Sequence, residues 1–301
     1  MILALVAVGM LLLALPGARR RPPRQLPPRE WTPVAASAFV AGALAVEAAL
    51  VLAAASAVGG VVSAPGLIDH CRGALAPLTV DPSLLSWGAA AVATVVAARM
   101  LRGGWEARTR ARQARVEPWL GEHRPRVGFD LVVLPTRRLV AFGVPGAPPQ
   151  VVISEGLIDE LEPEQVEAVI GHEAAHHRLR HSTLLAVLAA VERAFGGLSF
   201  VGRSLATLRA GLEVWADEAA GARDVDARRS LRQALAGVSG STVWTRDRVQ
   251  RLERWARPGH ALLRVVTYAP VAVLVLAVGA LMAGWFTDAH HAFALGDPCT
   301  H

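Results

Sequence analysis

The chain has 301 residues, of which 53% are hydrophobic and only 19% charged. Ordinary soluble domains carry about 25% charged residues, so this composition excludes a disordered chain and a wholly soluble enzyme. The formal net charge is +6, and all 31 basic residues are arginine. Lysine is missing even where only a charge is needed, which reads as genomic base composition rather than an arginine-specific role.

Taken in chain order, four stretches are apolar enough to be read as membrane spans: 1–15, 34–58, 84–100 and 265–286. A helix crossing the hydrocarbon core needs about 20 residues, range 17–25. The second and fourth fit easily, the third sits at the lower limit and the first is short. The first also has the apolar run of a signal peptide, but its arginines (Arg19, Arg20, Arg21, Arg24, Arg29) follow the run instead of preceding it. Such charges hold the C-terminal end of a retained span in the cytoplasm. Glu47 lies near the middle of the second span, where an ionised carboxylate is costly. It reads either as a polar contact between spans or as a neutral packing residue.

With four spans the intervening segments alternate sides. Residues 59–83 hold one arginine, Arg72, residues 287–301 hold none, and the other thirty fall on the opposite side. Those near span ends decide the orientation. Arg99, Arg102, Arg108, Arg257 and Arg264 put the protein body in the cytoplasm and the C-terminus outside. This arrangement explains the basic balance without nucleic acid, and makes the arginine-rich run 102–115 a membrane-proximal flank near anionic headgroups. The expected organisation is a membrane region at 1–101, a cytoplasmic domain at 102–263, and a fourth span with a short external tail at 264–301. The tail holds Cys299, and the external loop between the second and third spans holds Cys71. Both fall where disulfides persist, so a bridge between them is one reading and two free thiols the other.

The cytoplasmic segment opens with a helical stretch through Trp105 and Trp119. Short strands are expected at 131–134, 139–144 and 151–153, the last after the turn residues Pro145, Gly146, Pro148 and Pro149. Glu162, Pro163 and Glu164 announce a helix, because Pro fits the first helical position and acids suit the first turn. Val166, Val169 and Ile170 give it one apolar face. Further helices are expected at 203–221, 225–237 and 246–256.

The helix after Pro163 contains His172-Glu173-Ala174-Ala175-His176, an H-E-x-x-H pattern. Residues four apart share a helix face, so both imidazoles can reach one ion. Zinc suits such a pair and activates water, and Glu173 is placed to take that water's proton as general base. A catalytic zinc usually has three protein ligands and an open position. Six residues after His176 stands Ser182, which excludes a metzincin-type third histidine. His181, on a continuing helix, would point about 140° away. Further on, Glu213-Val214-Trp215-Ala216-Asp217 places two carboxylates on one helix face. Glu213 can close the metal site, and Asp217 can accept the N–H of a liganding histidine and fix its tautomer.

Val151-Val152-Ile153-Ser154-Glu155-Gly156-Leu157, the Pro163 helix with HEAAH, and the EVWAD segment together resemble gluzincin membrane metallopeptidases over roughly residues 130–220. Two branches share this plan, the HtpX-type membrane proteases and the BlaR/MecR-type signal-transducing metallopeptidases. The span arrangement is more similar to the BlaR/MecR type, with the zinc domain between a third and a fourth span. That type carries a large external sensor after its last span, and with fifteen residues following Phe286 here the resemblance is not expected to extend to antibiotic sensing.

The resemblance implies a multi-pass α-helical membrane protein bearing a mainly helical α+β zincin-type domain. It implies one Zn2+ per chain held by His172, His176 and Glu213, with Glu173 catalytic and Asp217 behind the ligands. The expected activity is zinc-dependent endopeptidase action at the cytoplasmic face of the plasma membrane. The expected partners are the lipid bilayer and a protein substrate, with a transcriptional repressor as a candidate, and no nucleic acid. Two alternatives stand beside it: HtpX-like quality control, and a non-catalytic transducer that keeps zinc for folding. Arg223, His177 and His181 are candidate oxyanion stabilisers, since the one tyrosine, Tyr268, falls in the fourth span. An exposed edge built from 139–153 would receive an extended substrate as an added strand.

Overall fold

The structure is a computed structural model that describes residues 2–18, 23, 26–62, 84–117, 120–222, 225–238, 243–254 and 276. The expected fourth span (265–286, apart from Leu276), Cys71, Cys299, Trp119, Arg223 and Tyr268 lie outside the described residues.

Three long helices come first: α1 (Ile2–Ala18), α2 (Pro28–Val62) and α3 (Leu84–Gln113). α1 and α2 cross closely because Gly9 meets Gly42. A Cβ on Gly9 would lie 2.8 Å from the Gly42 carbonyl oxygen, and one on Gly42 would lie 2.7 Å from that of Gly9. Small residues at a crossing allow backbones to approach this way. Among the described residues, Pro28–Ala54 within α2 is long and apolar enough to cross a membrane, which suggests a membrane association. α1 is apolar but shorter. The expected span 84–100 is the first part of α3, which continues without a break through the arginine-rich stretch to Gln113.

A four-stranded sheet follows, formed by β1 (Glu122–Arg126), β2 (Phe129–Leu134), β3 (Ala141–Val144) and β4 (Gln150–Ser154) in the order β1-β2-β4-β3. β1 pairs antiparallel with β2 through a two-residue turn, in which Gly128 adopts φ 86, a conformation natural to glycine. β2 and β4 are parallel, and β3 runs antiparallel to β4 at the opposite edge. Alternation sorts the side chains of the inner strands. Leu131, Val133, Val151 and Ile153 face a core with Leu157, Val166 and Ile170, while Val132, Val144 and Val152 pack against Val116 on the other face.

The remaining helices are α4 (Glu155–Glu160), α5 (Pro163–Arg178), α6 (His181–Phe195), α7 (Ser199–Gly221), α8 (Val225–Val238) and α9 (Val243–Arg254). Ser154 caps α4, its Oγ accepting from the Leu157 N–H at 3.2 Å. α5 carries Pro163 at its start and Glu164 in its first turn. The expectation that a helix continues past His176 toward His181 is corrected. α5 stops at Arg178, Arg180 takes the left-handed conformation with φ 55, and a new helix begins at His181.

One apolar cluster crosses the expected boundary at residue 101. Phe39, Ala43 and Val46 of α2 and Val96 of α3 pack with Leu188 and Val191 of α6 and with Leu205, Leu208 and Leu212 of α7. The Ser204 hydroxyl ties α7 to α1, accepting from the Gly17 N–H at 3.0 Å and donating to the Leu13 carbonyl at 2.7 Å. α7 therefore starts in the helical cluster and ends beside α5.

Candidate metal centre

α5 turns its Val166–Ile170 side toward the sheet and His172 and His176 toward α7. Nε2 of His172 and Nε2 of His176 lie 3.2 Å apart. Glu213 on α7 faces both, with Oε2 3.5 Å from His172 Nε2 and Oε1 3.6 Å from His176 Nε2. Zn–N and Zn–O bonds of about 2.0–2.2 Å in a tetrahedron put neighbouring ligand atoms about 3.3–3.6 Å apart. The two imidazole nitrogens and the Glu213 carboxylate, which meets each imidazole through a different oxygen, thus lie close enough to share one ion, and their chemistry suits zinc. Glu213 is 41% exposed at its side chain, against 8% for His172 and 16% for His176, so the cluster is open on the Glu213 side.

Asp217, one turn beyond Glu213, is almost fully buried, with Oδ1 2.9 Å from His172 Nδ1. A carboxylate there fixes the tautomer that leaves Nε2 toward the cluster. Burial alone would push the His172 imidazole down. The carboxylates of Asp217 and Glu213 outweigh it and raise the group to about 9. His176 goes the other way, pushed down to about 4 by burial and by its neighbour His172.

His181, a poor ligand by the spacing of a continuing helix, stands behind His176. The left-handed Arg180 turns the chain so that His181 Nδ1 comes 3.1 Å from His176 Nδ1. It is completely buried, and its ring packs 5.0 Å from that of Trp215. It therefore backs a candidate ligand and cannot meet a substrate oxyanion, which removes it from the oxyanion candidates. His177 faces the sheet edge, with Nε2 2.9 Å from the Gln150 carbonyl oxygen.

Burial pushes the Glu173 carboxyl up, the direction that makes a carboxylate a better base. The backbone N–H of Gly143 on β3 acts on the Glu173 carboxyl in the lowering direction. Sequence reasoning missed Arg248. Its Nε and Nη2 each donate to one Asp217 oxygen at 2.7 Å, and its Nη1 lies 3.2 Å from Glu213 Oε2. No local motif announces it, because α9 follows Glu213 by thirty residues and reads only as an amphipathic, arginine-rich helix.

Residues 108–232 match the family model of Peptidase family M48. No curated protein and no solved structure matches the chain. The matched segment contains the sheet, α5 and α7 and ends within α8, so it includes His172, His176 and Glu213 but not Arg248. It supports a zincin-type metallopeptidase, a zinc-dependent class with which the His172, His176 and Glu213 cluster is compatible.

Proposed function

We propose that this chain is a membrane-anchored zinc endopeptidase whose ligands are His172, His176 and Glu213 and whose general base is Glu173. The observation that supports it most is the cluster on two helices of two imidazole nitrogens 3.2 Å apart and one carboxylate whose two oxygens lie 3.5 and 3.6 Å from them. Bound zinc supplies Lewis acidity toward a peptide carbonyl. Glu173 takes the proton of the attacking water at its carboxylate and returns it to the leaving amine. Asp217 and His181 hold the two imidazoles with their Nε2 atoms toward the cluster.

β3 is the strand that would receive the substrate. It is an edge strand, and its Gly143 lies beside His177 of the HEAAH helix. An extended peptide added to it is ordered by backbone pairing and runs past the ligands. A protein segment is accordingly the favoured substrate class, cleaved internally.

In this reading the protein is a multi-pass plasma-membrane protein with four spans, its protease domain cytoplasmic and its C-terminus external. The apolar helix Pro28–Ala54 and the arginine distribution support it. The BlaR/MecR-like placement of the domain between the third and fourth spans favours cleavage of a regulatory protein such as a repressor over general quality control. The test is cleavage of a denatured protein by the purified full-length chain. Activity abolished by a chelator and restored by zinc is expected. Zinc-independent cleavage, or none with zinc bound, would overturn the assignment.

A further inference from the structure

The candidate ligands and their immediate supports come from α5, α6 and α7. Among the described residues, one further side chain reaches the cluster, and it comes from a helix with no candidate ligand of its own. Arg248 on α9 presents its guanidinium edge-on to Asp217, Nε to Oδ2 and Nη2 to Oδ1, both at 2.7 Å. This is the fork geometry that only arginine offers a carboxylate. The third nitrogen, Nη1, reaches Glu213 Oε2 at 3.2 Å. One planar group therefore sets both carboxylates of α7. Arg248 is itself 19% exposed at its side chain, and Asp217 3%, so solvent screens this contact little.

α9 is seated firmly enough to make such a contact specific. Leu252 packs against Ala220 of α7 and Leu231 of α8. Asp247 beside Arg248 is buried and accepts from Arg251 Nε at 2.9 Å, while Arg251 Nη1 donates to the Pro23 carbonyl at 3.3 Å.

We propose that Arg248 is a positioning residue of the zinc site: it fixes Asp217 behind His172 and turns Glu213 so that Oε1 faces His176. The inference rests on the metallopeptidase reading. Two effects of opposite sign meet here. A cation 3.2 Å from a ligand carboxylate repels an incoming dication, so deleting it would tighten zinc binding. Loss of the fork frees Glu213 to rotate and leaves the buried Asp217 with His172 alone, which would weaken binding. Positioning dominates, because Asp217 is nearly fully buried and both of its oxygens are engaged by the fork.

The experiment measures zinc affinity of the detergent-solubilised full-length protein by competition with a chromophoric chelator. Wild type, Arg248→Met and Arg248→Lys are compared. Arg248→Met is expected to bind zinc about 10–100-fold more weakly, the range for loss of a partner behind the ligands. Arg248→Lys keeps the charge but loses the fork, and is expected to recover only part of the affinity. The cobalt-substituted Lys variant should also show altered ligand-field bands, which a change confined to folding would not produce. If Arg248→Met does not fold, Arg248→Lys decides alone, and wild-type affinity with an unchanged cobalt spectrum overturns the inference. Unchanged or tighter binding in Arg248→Met overturns it equally. A wild-type protein that takes up no zinc sinks the metallopeptidase reading itself, which is a separable result.

Discussion

Burial raises the Glu173 carboxyl, the direction that suits a general base. Glutamine has nearly the same shape and cannot accept the proton. Glu173→Gln should therefore retain zinc at one equivalent while peptide cleavage falls about 10²–10⁴-fold, the usual contribution of a positioned base. Metal analysis alongside a fluorogenic peptide assay checks both, and full activity in this variant would end the proposed role. The five residues from His172 to His176 were legible because four-residue spacing fixes a shared helix face wherever the helix forms. Glu213 and Asp217 were legible for the same reason. His181 was not, because its place depends on the left-handed Arg180, a non-glycine residue in a conformation that sequence does not announce. With its Nδ1 3.1 Å from His176 Nδ1, His181→Ala should weaken zinc about 10–100-fold. Chelator competition reads this, and wild-type affinity would mean that His176 needs no such support.

At the scale of elements, the sheet edge was partly legible. β2 and β4 follow from apolar runs flanked by turn residues, and β3 begins two residues later than expected. β1 escaped because Glu122–Arg126 reads Glu-His-Arg-Pro-Arg, with charges and a proline where a strand signal requires β-branched or aromatic residues. As an exposed edge strand it tolerates both, and its formation is dictated by pairing with β2. β3 has a tighter constraint at Gly143, where a Cβ would lie 2.6 Å from His177 Nε2, an atom engaged with the Gln150 carbonyl. Gly143→Val must push β3 or His177 aside, moving the strand that, in the proposed function, holds the substrate. A kcat/KM at least about 10-fold below wild type is expected with zinc content unchanged, since a displacement of about 1 Å near reacting groups costs on the order of 10²-fold. Unimpaired peptide turnover by Gly143→Val would exclude β3 as the substrate strand.

Across the whole molecule, α7 is the element that carries Glu213 from the long apolar helices to the metal cluster, beside α6, which brings His181. Its first half shares a core with α1, α2 and α3, and two residues before Glu213 it passes α2 at Gly211. The contact is close: a Cβ on Gly211 would sit 2.9 Å from both Thr32 Oγ1 and Trp31 Cζ3. Directly after Asp217, Glu218 accepts from the Arg29 N–H at 3.2 Å and pairs with its guanidinium at 3.5 Å. This joint was not legible from the sequence, since hydropathy separates apolar helices from a polar domain without saying that one helix of the domain packs on them. Its consequence is that a shift of α2 must reach Glu213 along a single helix. Gly211→Leu should test this, because a branched side chain cannot fit without parting α2 from α7. Glu213 would then leave its 3.5 Å approach to His172 Nε2, and zinc affinity should fall about 10-fold or more, with overpacking costing about 1–3 kcal/mol of stability. Substitution at Gly197, where a Cβ meets nothing within 4 Å, provides the comparison at a neighbouring helix end. Chelator competition and thermal unfolding with and without zinc separate the two effects. A Gly211→Leu protein destabilised equally in both conditions, at unchanged zinc affinity, would show that the α2 contact supports the fold without reaching the metal site.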